Sequence, residues 1–349
     1  MRRLIGVATC ACLALSACAH HEPPPAPVAP PVAHAVSAGE PVAAALPSWQ
    51  DSAARAAILK FIAEVTQTGS AQYVPPEARI AVFDNDGTLW SEQPLPFQVI
   101  FMIDRLKAVA PQHPEWRRNP IYRALMAHDM ATLAKNEKAT LQLLEVANSG
   151  MTTEEYDETI RDWLASAKHP QLNRPYTELV YQPQLELLQI LRANGFTVWI
   201  VSGGTTEFMR VFADKVYGVA PENVVGTEEK LKFEMRDGKA VLVREPGLDF
   251  WNDGANKPLG IFRAIGRRPI LAFGNSDGDR EMLEYTTGGA GPSLGLLLNH
   301  DDAAREFAYG RQPGSMSLDK AWDEAPRRGW YIVSMKQDWK TVFPASAVR

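Results

Sequence analysis

Apolar positions in this chain follow two different rhythms. Four short runs carry no polar face: Ile80-Ala81-Val82-Phe83, Phe196 to Val201, Pro269 to Phe273 and Leu294 to Leu298. Apolar runs this short, bounded by Gly, Asp or Asn, predict strands buried on both faces. Elsewhere apolar residues recur at three and four, the spacing of an amphipathic helix. Ala54, Ala57, Ile58, Phe61, Ile62 and Val65 mark a first helix, which Ser48 can cap and which runs to about Thr66. From about Gln98 to Ala167 the pattern is helical throughout. Val99, Ile100, Met102, Ile103 and Leu106 form one stripe, and Leu133, Leu141, Leu143, Leu144 and Val146 suggest others. Ser149-Gly150 interrupts them, and Thr152 or Thr153 caps a further helix carrying Tyr156, Ile160, Trp163 and Leu164.

The remainder alternates helix and strand. Pro183 to Ala193 predicts a buried helix ended by Asn194-Gly195, followed by the strand Phe196 to Val201, with Ser202-Gly203-Gly204 at its end. Thr205 or Thr206 opens the next helix. Residues 224 to 245 predict a hairpin turning at Asp237-Gly238. Asn256-Lys257-Pro258 enters a helix ahead of the third strand, and the fourth strand ends in Asn299-His300-Asp301-Asp302. Helix and strand in alternation predict an α/β fold, a Rossmann-like doubly wound parallel sheet. About 90 residues of largely helical pattern lie between the first strand and the 183–193 helix that leads to the second. That is too long for a plain crossover and predicts a helical cap inserted after the first strand, at about residues 91–180 of a domain spanning 48–349.

Net charge is −5 over 349 residues, with no long basic run, so no nucleic-acid partner is expected. All three cysteines, Cys10, Cys12 and Cys18, fall in the first eighteen residues, which leaves the folded part without a disulfide. Met1-Arg2-Arg3 followed by the apolar Leu4 to Leu15 has secretory proportions. Leu15-Ser16-Ala17-Cys18 resembles a bacterial lipobox, so residues 1–18 are expected to be a lipoprotein signal peptide with lipidation at Cys18. Ala19, not Asp, follows the cysteine, which points to the outer membrane, facing the periplasm. Residues 19–47, rich in Pro and Ala, predict an extended tether.

The candidate chemistry gathers at strand ends. Asp84 and Asp86 follow the first strand two residues apart, and an extended backbone projects them the same way. Gly87 lets the chain turn away. Ser202 ends the second strand, Lys257 precedes the third, and Gly274-Asn275-Ser276-Asp277-Gly278-Asp279 follows it. Paired acids, a hydroxyl, backbone amides, an ammonium and an acidic loop together suit phosphoryl transfer with a hard cation such as Mg²⁺. A calcium loop starting at Asp84 would need Gly sixth and Glu twelfth, where Leu89 and Leu95 stand.

In this order, Asp-x-Asp-Gly-Thr, a strand ending in Ser, an isolated Lys and a late acidic loop resemble the four motifs of haloacid dehalogenase-like hydrolases. The phosphoserine-phosphatase-like branch, with its helical cap, is the most similar. The resemblance covers about residues 79–300. It implies Asp84 as a nucleophile forming an aspartyl phosphate, and Asp86 as the acid and base. It implies Ser202, Gly203 and Lys257 as phosphate-binding residues. Mg²⁺ would be held by Asp84, Asp86, Asn275 and Asp279, directly or through water, with Asp277 and Thr88 close by. Asn275 departs from the branch, which places an acid there. The expected activity is Mg²⁺-dependent hydrolysis of a small phosphorylated substrate. Phosphomutase chemistry, or a non-catalytic envelope lipoprotein retaining the fold, are the alternatives. Glu92, Trp90 and Phe97 border the first motif and can line the substrate pocket or serve packing, and His300 ends a strand on the active side. Trp322, Trp330 and Trp339 are expected to pack.

Overall fold

The computed structural model describes residues 46–127, 129–311 and 316–345. The expected signal peptide, Cys18 and nearly all of the tether lie outside them. Leu46, within the expected tether, is already fully buried in the core.

Seven strands form one mixed sheet: β1 (Ile80–Phe83), β2 (Thr197–Thr205), β3 (Val224–Arg236), β4 (Lys239–Phe250), β5 (Leu271–Gly274), β6 (Leu294–Asn299) and β7 (Tyr331–Ser334). Their order is β4-β3-β2-β1-β5-β6-β7. Every pairing is parallel except the β3–β4 hairpin. The α/β, Rossmann-like expectation therefore holds. The first strand is central, pairing Phe83 with Ile200 on one side and Phe273 on the other.

Twelve helices accompany the sheet among the described residues: α1 (Ala53–Thr66), α2 (Phe97–Val109), α3 (Pro120–Met126), α4 (Met130–Lys135), α5 (Glu137–Val146), α6 (Thr153–Ser166), α7 (Gln182–Ala193), α8 (Thr206–Tyr217), α9 (Lys257–Ile265), α10 (Arg280–Thr287), α11 (Lys320–Arg328) and α12 (Met335–Asp338). Alternate residues of β1 enter different cores, because strand side chains alternate in direction. Ala81 and Phe83 join a large cluster with Ile58, Leu187 and Phe212, while Ile80 and Val82 join a smaller one with Ile261 and Met282. Apolar layers on both faces are what make the central runs continuously apolar.

Five helices, α2 to α6, lie between β1 and α7, as the long gap predicted. Thr152 caps α6 with a reciprocal bond to Glu155. Three boundaries differ from expectation. Ser52, not Ser48, caps α1; the Ser48 amide instead bonds the Glu186 carboxylate at 2.9 Å, tying the segment before α1 to α7. The second strand continues through Ser202, Gly203 and Gly204 to Thr205, so these residues belong to the strand, with a register shift after Val201. The hairpin is longer than 224–245, ending at Phe250. β7 carried no clear signal: its four residues are half exposed at the sheet edge apart from Val333.

Candidate active site

β1 ends at Phe83, but Asp84 still donates its amide to the Phe273 carbonyl at 2.9 Å, so the ladder carries this residue to the sheet's carboxyl edge. The Asn85 carbonyl then accepts from the Thr88 and Leu89 amides, closing a tight turn. Gly87 sits in it at φ +72°, and a Cβ there would stand 2.1 Å from Asn275 Nδ2 and 2.4 Å from Glu92 Oε1. Only glycine meets both demands. His300 Nε2 bonds the Gly87 carbonyl at 2.7 Å, bracing the turn from β6.

A cleft of about 270 Å³ opens at this edge, and Asp84, Asp86, Ser202, Gly203 and Lys257 all line it. Lys257 is the first residue of α9 and 2% exposed. Its Nζ donates to Asp84 Oδ1 at 2.8 Å and to Asp279 Oδ1 at 2.6 Å. Asp86 Oδ1 accepts from Trp90 Nε1 at 2.7 Å. Ser202 Oγ accepts from the Gly204 amide at 3.3 Å, and the Gly203 carbonyl accepts from Thr227 Oγ1. Gln98, at the start of α2, bonds both the amide and the hydroxyl of Thr205, so the helical insertion is stitched to the end of β2.

Three expected residues stand just behind this surface. Thr88 Oγ1 donates to Asn275 Oδ1 at 2.9 Å, and Asn275 Nδ2 donates to Glu92 Oε1 at 2.8 Å. Asp279, fully buried, accepts the amides of Asn275 and Ser276 on Oδ2. Asp277 is not brought to the cleft: its Oδ1 accepts the Ala321 amide at 2.9 Å, drawn away to the start of α11. Trp90 and Phe97 are core residues, with rings 4.7 Å apart. Glu92, by contrast, lines the cleft.

Burial dominates the electrostatics. It pushes Asp84 up to about 8, with Asp279 adding to the rise and Lys257 opposing it. Asp86 is pushed up to about 6 by burial, against the Trp90 bond and Lys257. Glu92 is raised well above the carboxylate range by burial, against the Tyr309 bond, with Asp86 and Asp84 adding to the rise. Burial disfavours the charge on Lys257, but Asp279 and Asp84 outweigh it and hold the ammonium form. The donor set thus carries more negative charge than one ammonium balances, which fits a divalent cation. Among the described residues, no three His, Cys, Asp or Glu side chains enclose an ion by themselves. A magnesium site completed by water and a phosphate oxygen needs no such enclosure.

The rest of the cleft lining is apolar and acidic. Val99, Met102, Leu248, Trp251 and Met316 line it, together with Glu145 and Glu229. Burial, and then Glu145, push Glu229 up to about 8. Arg244 contacts Glu207 and Glu229 and lies over the Tyr156 ring, 3.6 Å from its centroid. Sequence reasoning missed Gln98, Trp251, Asp253, Glu229 and Tyr309. Asp253 offers a signal, four residues before Lys257; the others lie on elements whose approach to β1 is tertiary.

A family model described as haloacid dehalogenase-like hydrolase matches residues 81–284. A search of curated proteins finds no match. Among solved structures, a conserved functionally unknown protein from Anaerococcus prevotii DSM 20548 is 17% identical with a TM-score of 0.52, the match covering 80% of this chain and 91% of that one. A protein of unknown function from Bordetella pertussis Tohama I is 12% identical, TM-score 0.45, covering 73% and 97%. A phosphoserine phosphohydrolase-like protein from Francisella tularensis subsp. tularensis SCHU S4 is 20% identical, TM-score 0.37, covering 64% and 88%. The family match spans more than half of the chain and takes in β1, Lys257 and the loop after β5: this protein belongs to the haloacid dehalogenase-like hydrolases.

Proposed function

We propose that the protein is a Mg²⁺-dependent phosphomonoesterase working through a covalent phosphate on Asp84. The observation that supports it best is the convergence of Asp84, Asp86, Ser202 and Lys257 on one cleft, with Lys257 bonded to Asp84. An Asp84 oxygen attacks phosphorus and the bond from phosphorus to the ester oxygen breaks. Asp86 gives its proton to the departing alcohol oxygen. Asp86 then takes a proton from water, whose oxygen attacks the aspartyl phosphate and releases inorganic phosphate and the Asp84 carboxylate. A carboxyl poised at about 6 suits both proton transfers. Lys257, Ser202 and the backbone at Gly203 hold the phosphoryl oxygens. Asp84 and Asp86 would hold Mg²⁺ from the cleft, with Asn275 and Asp279 supporting the site from behind it through their bonds to Thr88, Glu92 and the loop. The cation, when bound, neutralises charge between the phosphate and the carboxylates.

The rest of the cleft lining narrows the substrate. Glu145 and Glu229 face a site whose arginine, Arg244, is already claimed by Glu207 and Glu229. The apolar lining favours an apolar alcohol half, and among the described residues no free cation there is left to hold a second anionic group, since Arg244 is paired. The location is also part of this reading: an outer-membrane lipoprotein anchored at Cys18, which Cys18→Ser and detergent-phase partitioning test.

Hydrolysis of a generic aryl phosphate by the purified protein tests the activity, with Mg²⁺, with EDTA and in Asp84→Asn. Loss of hydrolysis in both of the latter is expected; survival in either sinks the mechanism.

A further inference from the structure

Acids outnumber cations at the strand ends, and their positions say which of them faces the ligand. Lys257 is the ammonium there, and both of its bonds go to Asp84 and Asp279. Asp279 spends its other oxygen on two backbone amides. Asn275 is held between Thr88 and Glu92, and its side chain turns its nitrogen toward Glu92. Neither Asn275 nor Asp279 lines the cleft, whereas Glu92 does. Glu92 is only 4% exposed, with Oε1 accepting from Asn275 Nδ2 and from Tyr309 OH, each at 2.8 Å. Among the described residues its other oxygen, Oε2, has no hydrogen-bond partner. Oε2 is not among the buried side-chain atoms left without a partner, so it opens on the cleft that Glu92 lines, where a cation can meet it.

We propose that Glu92 is a ligand, direct or through one water, of the divalent cation that serves Asp84 and Asp86, and that it supplies the negative charge Asn275 lacks. The inference rests on the phosphatase reading for what the cation does. The Asn275 amide has a matching part: by donating to Oε1 it fixes the carboxylate and leaves Oε2 toward the cleft. An aspartate at 275 would instead repel Glu92 across 2.8 Å. The two positions therefore work as a pair in which the charge has moved from the loop after β5 to the turn after β1. A glutamate with a purely structural role would lose little on becoming glutamine, since Gln keeps an acceptor for Tyr309.

Titration of the full chain with Mn²⁺, followed by electron paramagnetic resonance without substrate, tests this. Glu92→Gln is expected to weaken Mn²⁺ binding at least about tenfold. Asn275→Asp added to Glu92→Gln is expected to recover most of that loss, because a carboxylate returns beside the same space. Melting curves in EDTA establish that both variants keep the fold, and Glu92→Asp, which retains the charge, is expected to bind more tightly than Glu92→Gln. Mn²⁺ affinity in Glu92→Gln equal to that of the unaltered protein would overturn the proposal. So would a double variant that binds no better than Glu92→Gln. Aryl phosphate hydrolysis is scored separately: Glu92-dependent Mn²⁺ binding without any hydrolysis sinks the phosphatase reading and leaves this one standing.

Discussion

Glu92 and Glu306 lie on either side of one stacked ring pair, His300 against Tyr309 with centroids 4.3 Å apart. Tyr309 OH donates to Glu92, and His300 Nδ1 faces Glu306 Oε2 at 3.2 Å. Both carboxylates are buried, at 4% and 6% exposure. Glu306 also receives Ser91 Oγ, Tyr181 OH at 3.2 Å and the Phe307 amide at 2.7 Å. Burial alone would raise it, but the His300 bond and charge with those of Ser91 and Phe307 hold it below the usual range. Glu92 has two donors, neighbours of its own sign in Asp86 and Asp84, and a raised pKa. One glutamate is completed by the protein. The other is left for a cation, and that contrast separates the scaffold of this site from its working surface.

The comparison breaks most sharply at the working surface itself. Asp84→Asn is expected to lower aryl phosphate hydrolysis by at least about 10³-fold, since an amide cannot replace the attacking carboxylate. Steady-state rates with Mg²⁺ check it. Next, the two glutamates are expected to respond in opposite ways. Glu306→Gln removes a charge that four donors share, at a cost of about 1–3 kcal/mol, or a Tm lowered by roughly 2–9 °C. Glu92→Gln in EDTA near neutral pH leaves Tm unchanged or raises it, because burial already disfavours the charged form of Glu92 and the amide carries no such penalty. Calorimetry on both variants decides this; a metal-free Glu92→Gln that melts earlier than Glu306→Gln would erase the distinction.

How much of this was readable along the chain depends on distance in sequence. The Asp84 to Thr88 turn was readable because its parts are local: an apolar strand, two acids and a glycine that must adopt positive φ. The central strands were readable because burial on both faces leaves a continuous apolar run. β7 was not, since an edge strand of four residues leaves only a weak pattern. Ser48 reads as the cap of α1 along the chain, and only its bond to Glu186, 138 residues away, shows why Ser52 takes that place. Asn275 was visible as an anomaly. Its answer, Glu92, lies 183 residues earlier, and no local pattern links two polar residues across that gap. The resemblance places Asp277 close to the cation, but the Ala321 amide captures it.

A pH series sharpens the same contrast with a smaller effect. Asp84 at about 8, Asp86 at about 6 and the raised Glu92 bind protons more tightly folded than unfolded. The folded state therefore holds more protons, and metal-free stability falls as pH rises from the unfolded carboxylate range toward about 8. Lys257, raised in the folded state, contributes evenly below its unfolded pKa and adds no slope there. Glu306, held low, contributes above its unfolded pKa and loses that contribution only in acid. Tm in EDTA is expected to drop between about pH 5 and 8, and Mg²⁺ to restore more at the alkaline end. A flat metal-free profile would mean the strand-end acids are already neutralised by the protein, as Glu306 is.

The smallest expected effect falls on the ring pair that joins the two sides. Tyr309→Phe keeps the stack on His300 and deletes one of the two donors to Glu92. Asn275 still holds Oε1, so the carboxylate stays in place, and Mn²⁺ affinity is expected to change by about tenfold or less, the worth of one hydrogen bond. Tyr309→Ala also removes the stack, which releases His300 from its position under the Gly87 carbonyl, and is expected to cost more in both affinity and hydrolysis. If Phe and Ala prove equally damaging, the Tyr309 hydroxyl rather than its ring is what matters. Glu92 would then depend on Tyr309 as heavily as Glu306 depends on His300, and the division between a glutamate completed by the protein and one left for a cation would narrow to a difference of degree.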